Sequence, residues 1–247
     1  MKALIREFSE IGIEDVPQVG GKNASLGEMF RKLTLQGARV PDGFATTSDA
    51  FWAFLDENSI RESLQEVLSE LDTKKYSNLN QIGEKARGLI LGGKLSKDLS
   101  QKITEAYQNL CEKENCAVAV RSSATAEDLP DASFAGQHDT FLNVSGKAAL
   151  LEAVKKCFAS LYTDRAIKYR DDKGFKHHDV ALSVGIQKMV RADKGCSGVG
   201  FTIEPESGHE NVMLLSGVWG LGENIVQGTV NPDEFFVFKP ALEQGKF

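Results

Sequence analysis

Apolar and polar positions along the chain fall into two regimes. In the first half the apolar residues recur at helical spacing. Leu26, Met29, Phe30 and Leu33 follow the stretch Gly20-Gly21-Lys22 in this way, with Ser25 and Glu28 at capping-box distance or Asn23 as the cap. Thr46, Thr47 and Ser48 offer a cap for a second helix that carries Phe51, Phe54 and Leu55 on one side. Residues 60 to 115 read as polar helices, broken at Gly92-Gly93. A helix over 147 to about 170 is the best defined, with Leu150, Leu151, Val154, Phe158, Leu161 and Tyr162 on its apolar face.

Short apolar or alternating runs predict strands elsewhere. They are Ala3 to Phe8, Ala117 to Val120 ending in Arg121-Ser122-Ser123, and Thr140 to Val144. After Gly174 strands dominate: Val180 to Val190, Gly198 to Ile203, Val212 to Leu215 and Glu234 to Phe238. Helices first and strands later predict an α+β fold rather than a regular βαβ repeat. One domain over 1–247 is expected, helix-rich over residues 1–115 and strand-rich over residues 116–247.

Composition narrows the possible partners. The chain has 247 residues, 41% hydrophobic and 26% charged, which is the balance of a globular protein with a substantial core. A net charge of −6 supplies no basic excess for a nucleic-acid backbone, so an anionic ligand must be met by a local cluster. No apolar run reaches the roughly 20 residues of a membrane span, and the N-terminus lacks a signal-peptide core. Cys111, Cys116, Cys157 and Cys196 include no C-x-x-C pair, which predicts reduced thiols in a cytoplasmic protein. His138, His177, His178 and His209 lack metal-ligand spacing and read as surface or loop residues.

Five segments hold candidate chemistry. Gly20-Gly21-Lys22-Asn23 combines close backbone approach, a positive charge and a helix N-terminus, all suited to phosphate. It is not a Walker A loop: Val16 stands where that motif has its first Gly, and Asn23 follows the Lys. Arg121 ends an apolar strand, where its planar fork of donors suits phosphate oxygens or a carboxylate such as Glu127 or Asp128. Gly136, within Ser133–Gln137, and Thr140 could close over a ligand or form a plain turn. Gln187, Met189 and Val190 could line an adenine slot or simply a core strand. Glu223 follows a Gly-rich turn from which it could accept ribose hydroxyls.

In this order, the segments 19–29, 40–47, 119–137 and 222–235 resemble the phosphoenolpyruvate synthase (pyruvate, water dikinase) family, and the resemblance runs from about residue 8 to 240. It implies an ATP-grasp nucleotide-binding domain at the N-terminus of a larger enzyme, C-terminally incomplete here. The family uses ATP and Mg2+ to phosphorylate a histidine on a swivelling domain, which passes the phosphoryl group to pyruvate. The resemblance gives Lys22 and Arg121 the triphosphate, and puts Gly136 and Thr140 on the phosphate side. It gives Gln187, Met189 and Val190 the adenine, and sets Glu223 near the ribose. Segments like D-I-E-W-A and Q-A-R-P-E, where the family holds its magnesium, do not occur in this chain, so no metal ligand is expected within it. Pyruvate and the phosphohistidine domain are partners only through absent domains. Relatives that phosphorylate rifampicin or glucans, and a non-catalytic nucleotide-binding module, remain open alternatives.

Overall fold

A computed structural model of the chain describes residues 3–112, 115–125 and 140–246. It divides into two compact units, Met1–Met189 and Val190–Phe247. The first unit contains β1 (Ile5–Glu7), α1 (Val16–Leu33), β2 (Gly43–Thr46), α2 (Ser48–Glu57), α3 (Ile60–Ser69), α4 (Leu79–Gly92) and α5 (Lys97–Leu110). It continues with β3 (Val118–Ala124), β4 (Thr140–Val144), α6 (Lys147–Ser160), α7 (Asp164–Asp172) and β5 (Leu182–Lys188). The second unit holds β6 (Cys196–Phe201), β7 (Val212–Trp219), α8 (Glu223–Val226), β8 (Asp233–Phe238) and α9 (Lys239–Glu243).

The strands of the first unit form one sheet in the order β1-β2-β5-β3-β4, antiparallel at every pairing. Those of the second form a three-stranded antiparallel sheet, β6-β7-β8. The α+β expectation therefore holds. The change near residue 115 falls inside the first unit, where β3, β4 and β5 join the same sheet as β1 and β2. Composition changes there, but strand pairing crosses the change.

Residues directly opposed in an antiparallel ladder share a face. One face of the five-stranded sheet carries Phe44, Val118, Val120, Ala124, Leu182, Val184 and Ile186, all buried in the main core with α2, α4 and α6. Phe51, Phe54 and Phe158 meet there, with Phe158 5.3 Å and 5.4 Å from the other two ring centres. The other face is covered by α1 and a small cluster of Phe8, Ile11, Val19, Ala24 and Ala45.

Some local expectations need correction and others refinement. Helix α1 forms as expected, with Leu26 and Phe30 packed partly buried and Met29 and Leu33 exposed. The helix instead buries Gly20, Gly21, Asn23, Ala24 and Gly27. A Cβ on Gly27 would lie 2.6 Å from Cβ of Ile11, so close approach, not an apolar stripe, seats this helix. Ser25 and Glu28 form no capping box, since the break in α1 lies earlier, at Gly20. The long helix over 147–170 is two helices, and Thr163 caps the second by accepting from the N–H of Ala166.

Cys111 and Cys116 are joined in a disulfide, against the expectation of four reduced thiols. Cys111 caps the end of α5 and Glu112 adopts a left-handed turn (φ 54°), bringing the two Cα atoms to 5.4 Å. His177 lies in a loop, as expected, and its Nδ1 accepts from Nε of the fully buried Arg170 at 3.0 Å. The two lie seven residues apart, brought together by the turn that ends α7.

Candidate nucleotide site

The site is built on the α1 face of the five-stranded sheet. Helix α1 breaks at Gly20, whose φ of 74° and ψ of 162° suit glycine alone. The helix restarts with Gly21, Lys22 and Asn23 in its first turn. Gly20 lies against the end of β3: a Cβ there would sit 2.3 Å from Ser123 Oγ and 2.7 Å from the Ser123 carbonyl oxygen. The expected close backbone approach exists, and its partner is β3.

Asn23 fixes this docking. Its buried amide donates to the Val19 carbonyl at 3.1 Å and to Ser183 Oγ on β5 at 2.9 Å. Ser183 Oγ donates to the Thr46 carbonyl at 2.5 Å, and Thr46 Oγ1 accepts from the N–H of Val184 at 2.9 Å. Gly185 makes room, since a Cβ there would meet Asn23 Oδ1 at 2.1 Å. A satisfied buried polar chain thus joins α1, β5 and β2. Ser123 Oγ is buried beside Gly20 without a hydrogen-bond partner among the described residues.

Register then decides which candidates share this face. Arg121 opposes Thr140 on β4 and Gly185 on β5, Ala119 opposes Gln187, and Ser123 opposes Ser183. Arg121, Thr140 and Gln187 therefore lie on the face that α1 covers, and Lys22 stands in the first turn of that helix. Arg121 is the one exposed residue of β3, its neighbours Val120 and Ser122 being buried. Lys22 and Thr140 are exposed as well.

The adenine candidates divide. Gln187 is mostly buried and donates to the Pro41 carbonyl at 3.0 Å. The N–H of Met189 donates to the Ala117 carbonyl at 3.0 Å, extending the β3–β5 pairing beyond the strands. That bond occupies one of the backbone groups an adenine edge would need. Val190 and Glu223 belong to the second unit, where Val190 is exposed and Glu223, also exposed, opens α8. Gly136 lies outside the described residues, as does most of the segment 119–137.

Sequence reasoning missed Asn23 as a docking residue, together with Thr46, Ser123, Ser183 and Gly185. One signal was available, a glycine inside an otherwise apolar strand at Gly185, which marks close approach of another chain segment.

The chain matches the family model described as pyruvate phosphate dikinase, AMP/ATP-binding domain, over residues 16–246. The chain belongs to this family. Its curated relatives include the phosphoenolpyruvate synthase of Helicobacter pylori, 52% identical over 98% of this chain and 30% of the relative. The phosphoenolpyruvate synthase of Deinococcus radiodurans is 53% identical over 98% of this chain and 31% of its own length. A probable phosphoenolpyruvate synthase of Methanocaldococcus jannaschii is 45% identical over 96% of this chain and 20% of its own length. The chain thus spans about 30% of the length of the phosphoenolpyruvate synthases of Helicobacter pylori and Synechocystis. Membership makes it an AMP/ATP-binding domain, and the glycine break, Lys22 and Arg121 all lie inside the matched residues.

Proposed function

We propose that this chain is the ATP-binding portion of a pyruvate, water dikinase. That enzyme converts ATP, pyruvate and water to phosphoenolpyruvate, AMP and phosphate through a phosphohistidine on another domain of the same protein. The relatives called phosphoenolpyruvate synthase support pyruvate as the acceptor over rifampicin or a glucan. The fold is read as ATP-grasp, the compartment as the cytoplasm, and the metabolic direction as gluconeogenic. These readings rest on the resemblance and on the chemistry of the substrates.

One observation carries the reading: two exposed cations, Lys22 and Arg121, are held on the same sheet face by a backbone that leaves no room for a side chain at Gly20. Lys22 supplies a point charge and Arg121 a planar fork for phosphate oxygens, in register with the hydroxyl of Thr140. Prepositioned cations of this kind stabilise charge developing on a transferring phosphoryl group. Gly136 would extend the phosphate side. Gln187, Met189 and Val190 would hold adenine, and Glu223 the ribose.

Magnesium would supply charge neutralisation of the phosphates in such an enzyme. Among the described residues no group of three or more His, Cys, Asp or Glu could hold a metal ion, so no step is assigned through it.

Thermal melting with and without Mg–ATP tests the site. A ligand bound only by the folded state adds about 2.7 kcal/mol at a hundredfold excess over Kd. The expected result is a clear upward shift in the chain that Lys22→Ala and Arg121→Ala each abolish. An unchanged shift in both variants would remove these residues from the phosphate site. Separately, a full-length protein containing this chain should form AMP over many turnovers only when pyruvate is present, and no more than one equivalent per histidine without it. AMP formation that requires rifampicin or a glucan instead would reassign the acceptor.

A further inference from the structure

The first unit contains a second feature suited to a ligand, among the helices rather than on the α1 face. Residues of α2, α3 and the segment after α7 line a cavity of about 460 Å³, within the size range of small-molecule sites. Its walls include the rings of Trp52, Tyr162 and Phe175. Arg61 also lines it, with its guanidinium 4.6 Å from the centre of the Trp52 ring and already bonded through two nitrogens to Asp56, at 2.7 and 2.9 Å. Lys176 and His177 contribute further nitrogen. The acid among the lining residues, Asp171, already accepts the Tyr76 hydroxyl at 2.5 Å.

Behind this wall lies an unusual group. Arg170 is fully buried, and neither terminal nitrogen of its guanidinium has a hydrogen-bond partner among the described residues. It touches two lining residues: its guanidinium carbon is 5.6 Å from the centre of the Tyr162 ring, and its Nε donates to His177 Nδ1 at 3.0 Å. A buried guanidinium without a counter-charge is costly, and a nearby anion relieves that cost. The bond from Arg170 also fixes the His177 tautomer. Nδ1 accepts, so a neutral ring carries its proton on Nε2 and offers a donor there. Burial, then the charge of Arg170, holds His177 down to about 4, so the ring stays neutral at physiological pH.

We propose that this cavity is a second ligand site, separate from the nucleotide face, which takes a small planar organic anion. The flat apolar body lies against Trp52 and Phe175, and a carboxylate or phosphate is met by Lys176 and His177, while Arg61, held by Asp56, braces the Trp52 ring. The chain as a whole is acidic, at −6, so an aromatic cavity edged by Lys176 and backed by the buried Arg170 stands out.

The chain has two tryptophans, Trp52 and Trp219, so Trp219→Phe leaves a single reporter in the cavity wall. Its fluorescence is titrated with benzoate, phenyl phosphate and neutral benzyl alcohol. A saturable change with one or both anions is expected, at least tenfold tighter than with the alcohol. Ser69→Asp and Lys176→Gln, both at exposed lining positions, should weaken the anions at least fivefold and leave the alcohol and the Mg–ATP melting shift unchanged. The preferred anion then identifies the headgroup. Unsaturable quenching, equal binding of benzyl alcohol, or indifference to both variants overturns the proposal, and none of these results bears on the nucleotide site.

Discussion

The two faces of the five-stranded sheet are covered in opposite ways. The helical face buries large side chains, with Phe44, Phe51, Phe54, Phe158, Val184 and Ile186 all fully shielded. The α1 face is lined largely with small and polar residues, Gly20, Asn23, Ser123, Ser183 and Gly185 among them. Burial of apolar area drives folding in proportion to area, so the helical face carries most of the stability. Close backbone approach and satisfied polar groups add less net free energy but fix geometry. A face held this way can leave Arg121 and Lys22 exposed to a ligand without weakening the core. Strand β3 shows both uses within a few residues: Val120 is in the core while Arg121 is exposed on the other side.

The largest effect is expected on the helical face. Phe158→Ala removes the ring that meets Phe51 and Phe54 and should cost about 3–5 kcal/mol in denaturant unfolding. A cost near that of a surface substitution would break the contrast between the faces.

Gly20→Ala comes next. The substitution forces a side chain into a glycine-only conformation and against Ser123, at about 2–3 kcal/mol with no apolar area lost. Nucleotide-dependent stabilisation should disappear with it. A stable Gly20→Ala variant that still responds to Mg–ATP would show that close approach does not shape the site.

A pH titration probes the polar exception on the helical side. His177 is held neutral with a pKa near 4, below the ordinary 6.5 it regains on unfolding. The unfolded chain therefore binds the proton first. Stability from this group is complete above about pH 6.5 and is lost as pH falls toward 4, by about 2 kcal/mol after allowing for partial exposure. His177→Gln should flatten that region of the stability–pH curve.

The smallest effect on stability is the most informative for the site. Arg121→Ala should change unfolding free energy by no more than about 0.5 kcal/mol, because the side chain is exposed. Its nucleotide affinity should fall at least tenfold in calorimetric titration. A large loss of stability would make Arg121 a structural residue.

Much of this architecture was legible along the chain. Local periodicity and turn chemistry mark Thr140–Val144 as a strand and place Thr47 as the cap of α2, where it accepts from the N–H of Ala50. They do not reveal why α1 docks as it does. The spacing of Leu26, Met29, Phe30 and Leu33 marks the helix but not its depth, since only Leu26 and Phe30 pack partly buried while Gly27 and Asn23 make the closest approach. The break between α6 and α7 also escapes periodicity, since Leu161 and Tyr162 continue the apolar pattern and are buried while the helix ends.

By itself the sequence determined the class of fold, the ordered motifs that carry the family, and the residue types able to hold phosphate. These depend on local spacing and on side-chain chemistry, which are written along the chain. Only the tertiary structure decided that Arg121, Thr140 and Gln187 share one sheet face with α1, and that Arg170 is buried against His177. Strand register sets the first relation and packing around α7 buries Arg170 in the second, and neither is specified by spacing along the chain.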